Sequence, residues 1–280
     1  MLKMIAISVV AVLLAGYLSL VGLLYFKQDA ILFAAGRGHT SPAEVGLAAI
    51  AEVTLATPDG EKLLAWYSPP KDGLPVLLFF HGNGGVMSGR PRRYDFYTRH
   101  GLGLLAVEYR GYGASSGSPS EAGFMVDAQT AYDWLTAKGV APSGIVIVGE
   151  SLGTAVATKL AARVKAEALL LEAPYSSVVD VAAARYWFAP VRALIRHQFN
   201  AIADVGRVNM PILIHHGTED QTVPYVFGQA LFAAAPEPKE MVTLQGAGHM
   251  IFNDVTWANE IDFLNRHLGL GITVNIPAVE

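Results

Sequence analysis

The chain has 280 residues, 52% of them hydrophobic and 16% charged, with a net charge of −4 and no cysteine. That length and apolar share permit one large domain, or a domain plus an anchor, with ample core. The weakly acidic balance excludes the basic field that nucleic-acid binding needs, and the missing cysteines exclude disulfides, a thiolate nucleophile and cysteine-ligated metal.

Met4 to Phe26 carries no charged residue, and as a helix it would extend about 34 Å, enough to cross a hydrocarbon core of about 30 Å. Because it is apolar all round, it reads as a membrane span over residues 1–27 rather than as a surface helix. A cleavable signal peptide competes with that reading. The run is long for one, however, and no small-x-small cleavage pattern follows it. The expected location is a bacterial inner membrane, with the rest of the chain outside the cytoplasm. Residues 28–47 mix Gly, Pro, Ser and Thr with scattered apolar residues and read as a connector.

The domain proper is expected from residue 48 to 280. IAEVTLAT and KLLAWYSP are β-rich runs joined by Pro58-Asp59-Gly60, an antiparallel hairpin at the start of a sheet. Pro75 to Phe80 is continuously apolar, the pattern of a strand covered on both faces, and ends in His81-Gly82-Asn83-Gly84-Gly85. Glycines there let backbone N–H groups turn toward a ligand, which makes the Asn83 N–H a candidate oxyanion donor. Leu102 to Glu108 is the next buried strand. Ser118-Pro119-Ser120-Glu121 then predicts a helix to about Ala137, with Ser118 as its cap and Pro119 at its first position.

Gly144 to Arg163 is the stretch around which the rest is arranged. A buried strand, GIVIVG, turns through Glu150, Ser151, Leu152 and Gly153 into a helix. Glycines two residues either side of Ser151 let strand and helix approach while the serine occupies a strained, exposed bend. With 28 glycines in the chain the five-letter pattern is weak alone, and it occurs a second time at Gly113 to Gly117. That copy, around Ser115, lies in a loop with no strand running into it, so Ser151 is the candidate nucleophile.

Ala168 to Glu172 is a further buried strand. Residues 175–209 then break the strand–helix alternation and read as a helical cap, interrupted at Pro190, whose Tyr186, Trp187, Phe188 and Phe199 could line an acyl pocket or simply pack the cap down. Pro211 to His216 and Glu240 to Leu244 complete the sheet, followed respectively by Asp220 and His249, and an amphipathic helix runs to about Leu268. The alternation implies a doubly wound, mostly parallel sheet, whose sites lie beyond the carboxyl ends of the strands.

A serine hydroxyl is a poor nucleophile until a base takes its proton. His249 is the candidate base and Asp220 the group that orients it, with the Leu152 N–H as the second oxyanion donor. Glu172 is the rival acid; Glu219 should point away. Most of His81, His215 and His216, at strand ends, are expected to be satisfied core histidines. His215 and His216 point to opposite faces and so do not easily share a metal ion with Asp220. Neither metal nor cofactor is expected.

QDAILF, TPDGEKLLAWYSPP, FFHGNGG, YRGYGASSGSPSE, GESLGT, LEAPYSS, HGTEDQTVP and GAGHM follow one another in order between Lys27 and Leu268. This series resembles the α/β-hydrolase superfamily. More narrowly it is similar to a membrane-anchored, small-cap branch related to abhydrolase-domain membrane proteins and serine-aminopeptidase-like hydrolases. The resemblance implies an eight-stranded sheet with a short helical cap, and a cofactor-free acyl hydrolase working through Ser151, Asp220 and His249. Carboxylic esters or thioesters of small-molecule, acylated or lipid-like compounds are the expected substrates. The alternatives are a peptidase or amidase, and a non-enzymatic, membrane-tethered interaction module. Dehalogenase and epoxide-hydrolase chemistry is disfavoured, because the elbow carries Ser where those enzymes need Asp.

Overall fold

The computed structural model describes residues 1–71 and 73–274. Its strands are β1 (Ala51–Ala56), β2 (Lys62–Ser68), β3 (Val76–Phe80), β4 (Gly103–Val107), β5 (Ile145–Glu150), β6 (Ala168–Glu172), β7 (Ile212–Gly217) and β8 (Lys239–Leu244). Its helices are α1 (Leu2–Leu32), α2 (Pro91–Arg99), α3 (Glu121–Ala137), α4 (Leu152–Ala161), α5 (Val178–Arg185), α6 (Val191–Leu194), α7 (Ile202–Val205), α8 (Tyr225–Ala234) and α9 (Asp254–Leu268).

The strands form one eight-stranded sheet in the order β1-β2-β4-β3-β5-β6-β7-β8. The β1–β2 hairpin and the β2–β4 pair are antiparallel and the remaining pairs parallel. The expected doubly wound, mostly parallel sheet is therefore the one that forms. The pleat explains why its central strands read as unbroken apolar runs. Val76, Leu78 and Phe80 of β3 enter one core with Phe124 and Ala128 of α3 and Ala155 and Val156 of α4. Leu77 and Phe79 enter the other, with Tyr94 and Tyr97 of α2 and Trp257 and Phe263 of α9. Each such buried side chain contributes roughly 1.5–3 kcal/mol. After β3 the chain winds outward to β4, then returns to β5 on the other side of β3. That reversal opens a crevice beyond the carboxyl ends of β3 and β5.

Three local expectations are revised. The cap of α3 is Ser120, whose Oγ accepts from Gly123 N–H, not Ser118, so Pro119 precedes the helix. Helix α1 runs without a break to Leu32, so the first residues of the expected connector, 28–32, are helical. The cap region 175–209 holds three short helices, α5, α6 and α7; the break around Pro190 is as expected, but residues 195–201 between α6 and α7 are not helical.

The connector is stitched to the domain. Phe33 is buried, with its ring centroid 5.3 Å from Phe124 and 6.1 Å from Phe199. Gly36 N–H donates to Gly85 C=O at 3.1 Å, and Gly113 N–H donates to Gly36 C=O at 2.9 Å. A side chain on Gly36 would collide with the Gly85 backbone, its Cβ lying 2.9 Å away, so only glycine permits this approach.

Candidate active site

Ser151 stands between β5 and α4 with φ 48° and ψ −114°, a conformation rare for a residue with a side chain. Close packing holds it there. A Cβ on Gly149 would lie 2.6 Å from the Gly153 carbonyl oxygen, and one on Gly153 would lie 2.1 Å from that of Phe80. Ser151 N–H donates to Glu172 C=O, and Ser151 C=O accepts from Thr154 N–H, both at 2.9 Å, so the bend is tied to β6 on one side and to the first turn of α4 on the other.

The loops after β7 and β8 bring two further predicted residues to it. His249 Nε2 is 3.0 Å from Ser151 Oγ, and His249 Nδ1 is 2.7 Å from Asp220 Oδ2. A carboxylate only accepts, so Nδ1–H donates to Asp220 and Nε2 is left to accept the serine proton. Asp220 Oδ1 takes the Thr222 and Val223 N–H groups, each at 2.8 Å. Burial works to raise its pKa, but hydrogen bonds from His216, His249 and the Val223 amide outweigh that and hold the carboxyl well below the usual range. The arrangement can move a proton from serine to imidazole and balance the resulting charge.

Asn83 and Leu152 line the cavity that contains Ser151. The loop after β3 passes close to the serine, since a Cβ on Gly82 would be 3.3 Å from Ser151 Cβ. Leu152 opens α4, where an unpaired N–H and the helix dipole favour negative charge. The Asn83 side chain is turned to other work: its Oδ1 accepts from Ala34 N–H at 2.8 Å and from Tyr112 Oη at 3.2 Å.

The remaining candidates divide clearly. Ser115 is buried, donates to Glu108 C=O and accepts from Leu64 N–H, both at 2.9 Å, as a loop brace. Glu172 is buried beneath the site, 2.6 Å from Arg93. Glu219 is exposed. His81 Nδ1 sits 2.7 Å from Gly82 C=O, with Nε2 3.0 Å from Glu108 Oε1. His216 Nε2–H donates to Val223 C=O at 2.9 Å and lies 3.5 Å from Asp220, a neighbour of the acid that the reading as a core histidine did not include. His215 departs from the expectation of a satisfied ring, because both nitrogens are buried without a hydrogen-bond partner.

Of the four cap aromatics, only Tyr186 lines the cavity. Trp187 is 82% exposed and Phe188 36%, at the tip of the cap. Phe199 is fully buried in the core against Phe33 and Phe124, because the chain after α6 runs back under the cap. The cavity, of about 510 Å3, is walled instead by aliphatic residues of α5 and α6, among them Val178, Val181 and Leu194, and by one face of α1.

Under the elbow lies a buried ion network that the sequence reading did not include. Glu150 accepts from Arg90 Nε at 3.0 Å and from Gly82 N–H at 3.2 Å, so it braces the loop that carries Asn83. Arg93 pairs with Glu172 and is packed among the rings of Phe79, Phe252 and Trp257, 4.8 to 5.4 Å from its guanidinium. Glu260 accepts from Tyr97 Oη. Burial raises the pKa of both Glu172 and Glu260; the nearby Glu150 carboxyl adds to the rise of Glu172, and Glu172 adds to that of Glu260. No local pattern marks these residues, since their partners lie on α2, β5, β6 and α9.

Comparisons with known proteins bear on the fold that carries this site. Residues 77–202 match the model of the alpha/beta hydrolase family. The chain is 36% identical over 248 residues to an uncharacterized protein of Mycobacterium tuberculosis, covering 87% of this chain and 86% of that one. It is 36% identical over 190 residues to alpha/beta hydrolase domain-containing protein 17B of Homo sapiens, covering 64% of this chain and 61% of the relative. Among solved structures, an esterase of Pyrococcus furiosus superposes with a TM-score of 0.68 at 19% identity, over 84% of this chain and 99% of that one. An alpha-beta hydrolase of Vibrio vulnificus gives 0.66 at 24% identity, over 82% and 96%. The chain belongs to the alpha/beta-hydrolase superfamily.

Proposed function

We propose that the chain is a serine hydrolase that cleaves carboxylic esters or thioesters through an acyl-enzyme on Ser151. The hydrogen-bonded line from Ser151 Oγ through His249 to Asp220, 3.0 and 2.7 Å long, carries this reading.

As Oγ attacks the acyl carbon, His249 Nε2 takes its proton and the carbonyl oxygen becomes an oxyanion. The Leu152 and Asn83 N–H groups stabilise that charge, each donor contributing about 3 to 4 kcal/mol. Collapse expels the alcohol or thiol, which leaves with the proton held by His249. Water then gives a proton to His249 and its oxygen to the acyl carbon, and a second collapse frees the acid and returns the proton to Ser151.

Helix α1 is in this reading an uncleaved, single-pass anchor. Its cap contacts, Tyr17 Oη donating to Phe188 C=O at 3.1 Å and Gln28 Nε2–H to Leu194 C=O at 3.3 Å, support its retention in the folded protein. The proposed setting is a bacterial inner membrane with the domain outside the cytoplasm. The human relative, named for its alpha/beta hydrolase domain, supports a hydrolase, and the aliphatic cavity favours an acyl chain over a peptide.

A panel of p-nitrophenyl esters of increasing length, acyl thioesters and aminoacyl amides, with Ser151→Ala as control, tests the reaction class. Turnover of esters or thioesters that is lost in Ser151→Ala is expected, and preference for the amides would move the enzyme to the amidases.

A further inference from the structure

The cavity at Ser151 has a wall that no soluble domain would supply. Val21, Leu24, Tyr25, Gln28, Ile31 and Leu32 of α1 line it. Their spacing of three and four keeps them on one face of the helix, a stripe about 16 Å long. Val21, Leu24 and Tyr25 belong to the uncharged run that ends at Phe26, whereas Gln28, Ile31 and Leu32 lie beyond it toward Ser151. One continuous cavity therefore joins the depth of the apolar run to the nucleophile.

The cap reaches to the same depth. Tyr17, which donates to Phe188 C=O, stands nine residues before Phe26, about 13 Å further along the helix. The cap tip at Trp187 and Phe188 follows it there and leaves large aromatic surface uncovered, which suits the boundary of a bilayer better than water. Asp29 takes Arg196 at 3.0 Å, so the charged clasp between helix and cap sits beyond the end of the apolar run, at headgroup level.

We propose that α1 and the cap together form a portal at bilayer depth, and that the substrate is an acyl amphiphile resident in the same membrane. Its chain slides along the α1 stripe so that its ester or thioester carbonyl meets Ser151. The inference rests on the serine-hydrolase reading and on α1 as a membrane span. It adds that the anchor is part of the substrate site and that the chain reaches the nucleophile without crossing water, where its exposure is unfavourable.

The test uses full-length protein in phosphatidylcholine vesicles with two substrates, water-soluble p-nitrophenyl butyrate and membrane-held p-nitrophenyl palmitate. Val21→Trp, which fills the membrane end of the cavity, should lower the palmitate-to-butyrate ratio of kcat/KM at least tenfold. Leu23→Trp, on the opposite and exposed face of α1, should leave the ratio within twofold. Palmitate presented in protein-free vesicles should be hydrolysed at least tenfold more slowly than palmitate in the protein's own bilayer.

An unchanged ratio in Val21→Trp, an equal drop in Leu23→Trp, or equal rates from separate vesicles would each overturn the portal while leaving butyrate hydrolysis, and so the hydrolase reading, standing. Failure of the wild type to hydrolyse either ester, or undiminished hydrolysis by Ser151→Ala, would overturn both.

Discussion

The Asn83 side-chain oxygen accepts the Ala34 backbone N–H at 2.8 Å, tying the segment that follows α1 to the loop proposed to bind the oxyanion. The same oxygen takes Tyr112 Oη at 3.2 Å, so one side chain holds connector and loop together, and the backbone N–H of that residue is the one proposed as an oxyanion donor.

Asn83→Ala keeps that N–H but removes both bonds. It should lower kcat about tenfold with KM little changed, because the donor is lost from position only in the transition state, and should cost about 1 kcal/mol of stability. Steady-state kinetics on a short ester together with thermal unfolding check this. Unchanged kcat would mean that the side chain does not position the loop.

The buried Arg93–Glu172 pair predicts a non-additive cycle. Arg93→Met leaves Glu172 without its cation and should destabilise the fold by about 3–5 kcal/mol, while Arg93→Met with Glu172→Gln should recover a large part of that loss. Urea denaturation of the two single variants and the double variant measures the coupling. Additive effects would show that the pair is not compensated in this way.

His215 predicts acid sensitivity. Burial first, and the charge of Arg93 second, push its imidazole from 6.5 down to about 3. Between those values the unfolded chain binds a proton that the folded chain refuses, so stability falls on acidification across that window by up to about 1.4 kcal/mol per pH unit. Glu172 and Glu260 act in the opposite sense, because a raised carboxyl pKa adds stability as pH falls toward 4.5. Glu150, held down at about 2, keeps its full contribution above 4.5 and loses it only below that. Comparing His215→Phe with the parent at pH 5 and pH 7 isolates the histidine. The variant should lose less stability between the two pH values than the parent, and equal losses would contradict the assignment.

Much of the fold is legible in the letters because its causes are local or periodic. PVLLFF and GIVIVG read as buried strands since both of their faces are covered, and Gly149 and Gly153 mark the elbow since no Cβ fits there. The order of Ser151, Asp220 and His249 beyond the ends of β5, β7 and β8 was likewise readable, and the structure brings the three side chains within hydrogen-bond distance. What the letters hid depends on contacts between distant segments. Arg93 sits among the charges of PRRYDFYTR, and nothing near it shows that it pairs with β6. The cap aromatics look alike in sequence, yet Phe199 is buried in the core, Trp187 is exposed, and of the four only Tyr186 lines the cavity. The stripe on α1 is hidden because the helix is apolar on every side, so composition cannot mark the face that meets the cap.

The central claim is that Ser151 is a nucleophile activated by His249. Fluorophosphonate labelling of the full-length protein, read by intact mass, tests it most directly. One probe per chain should attach, labelling should vanish in Ser151→Ala, and His249→Ala should slow it at least about a thousandfold. An unlabelled wild type, or a Ser151→Ala variant that labels as fast as its parent, would contradict the account.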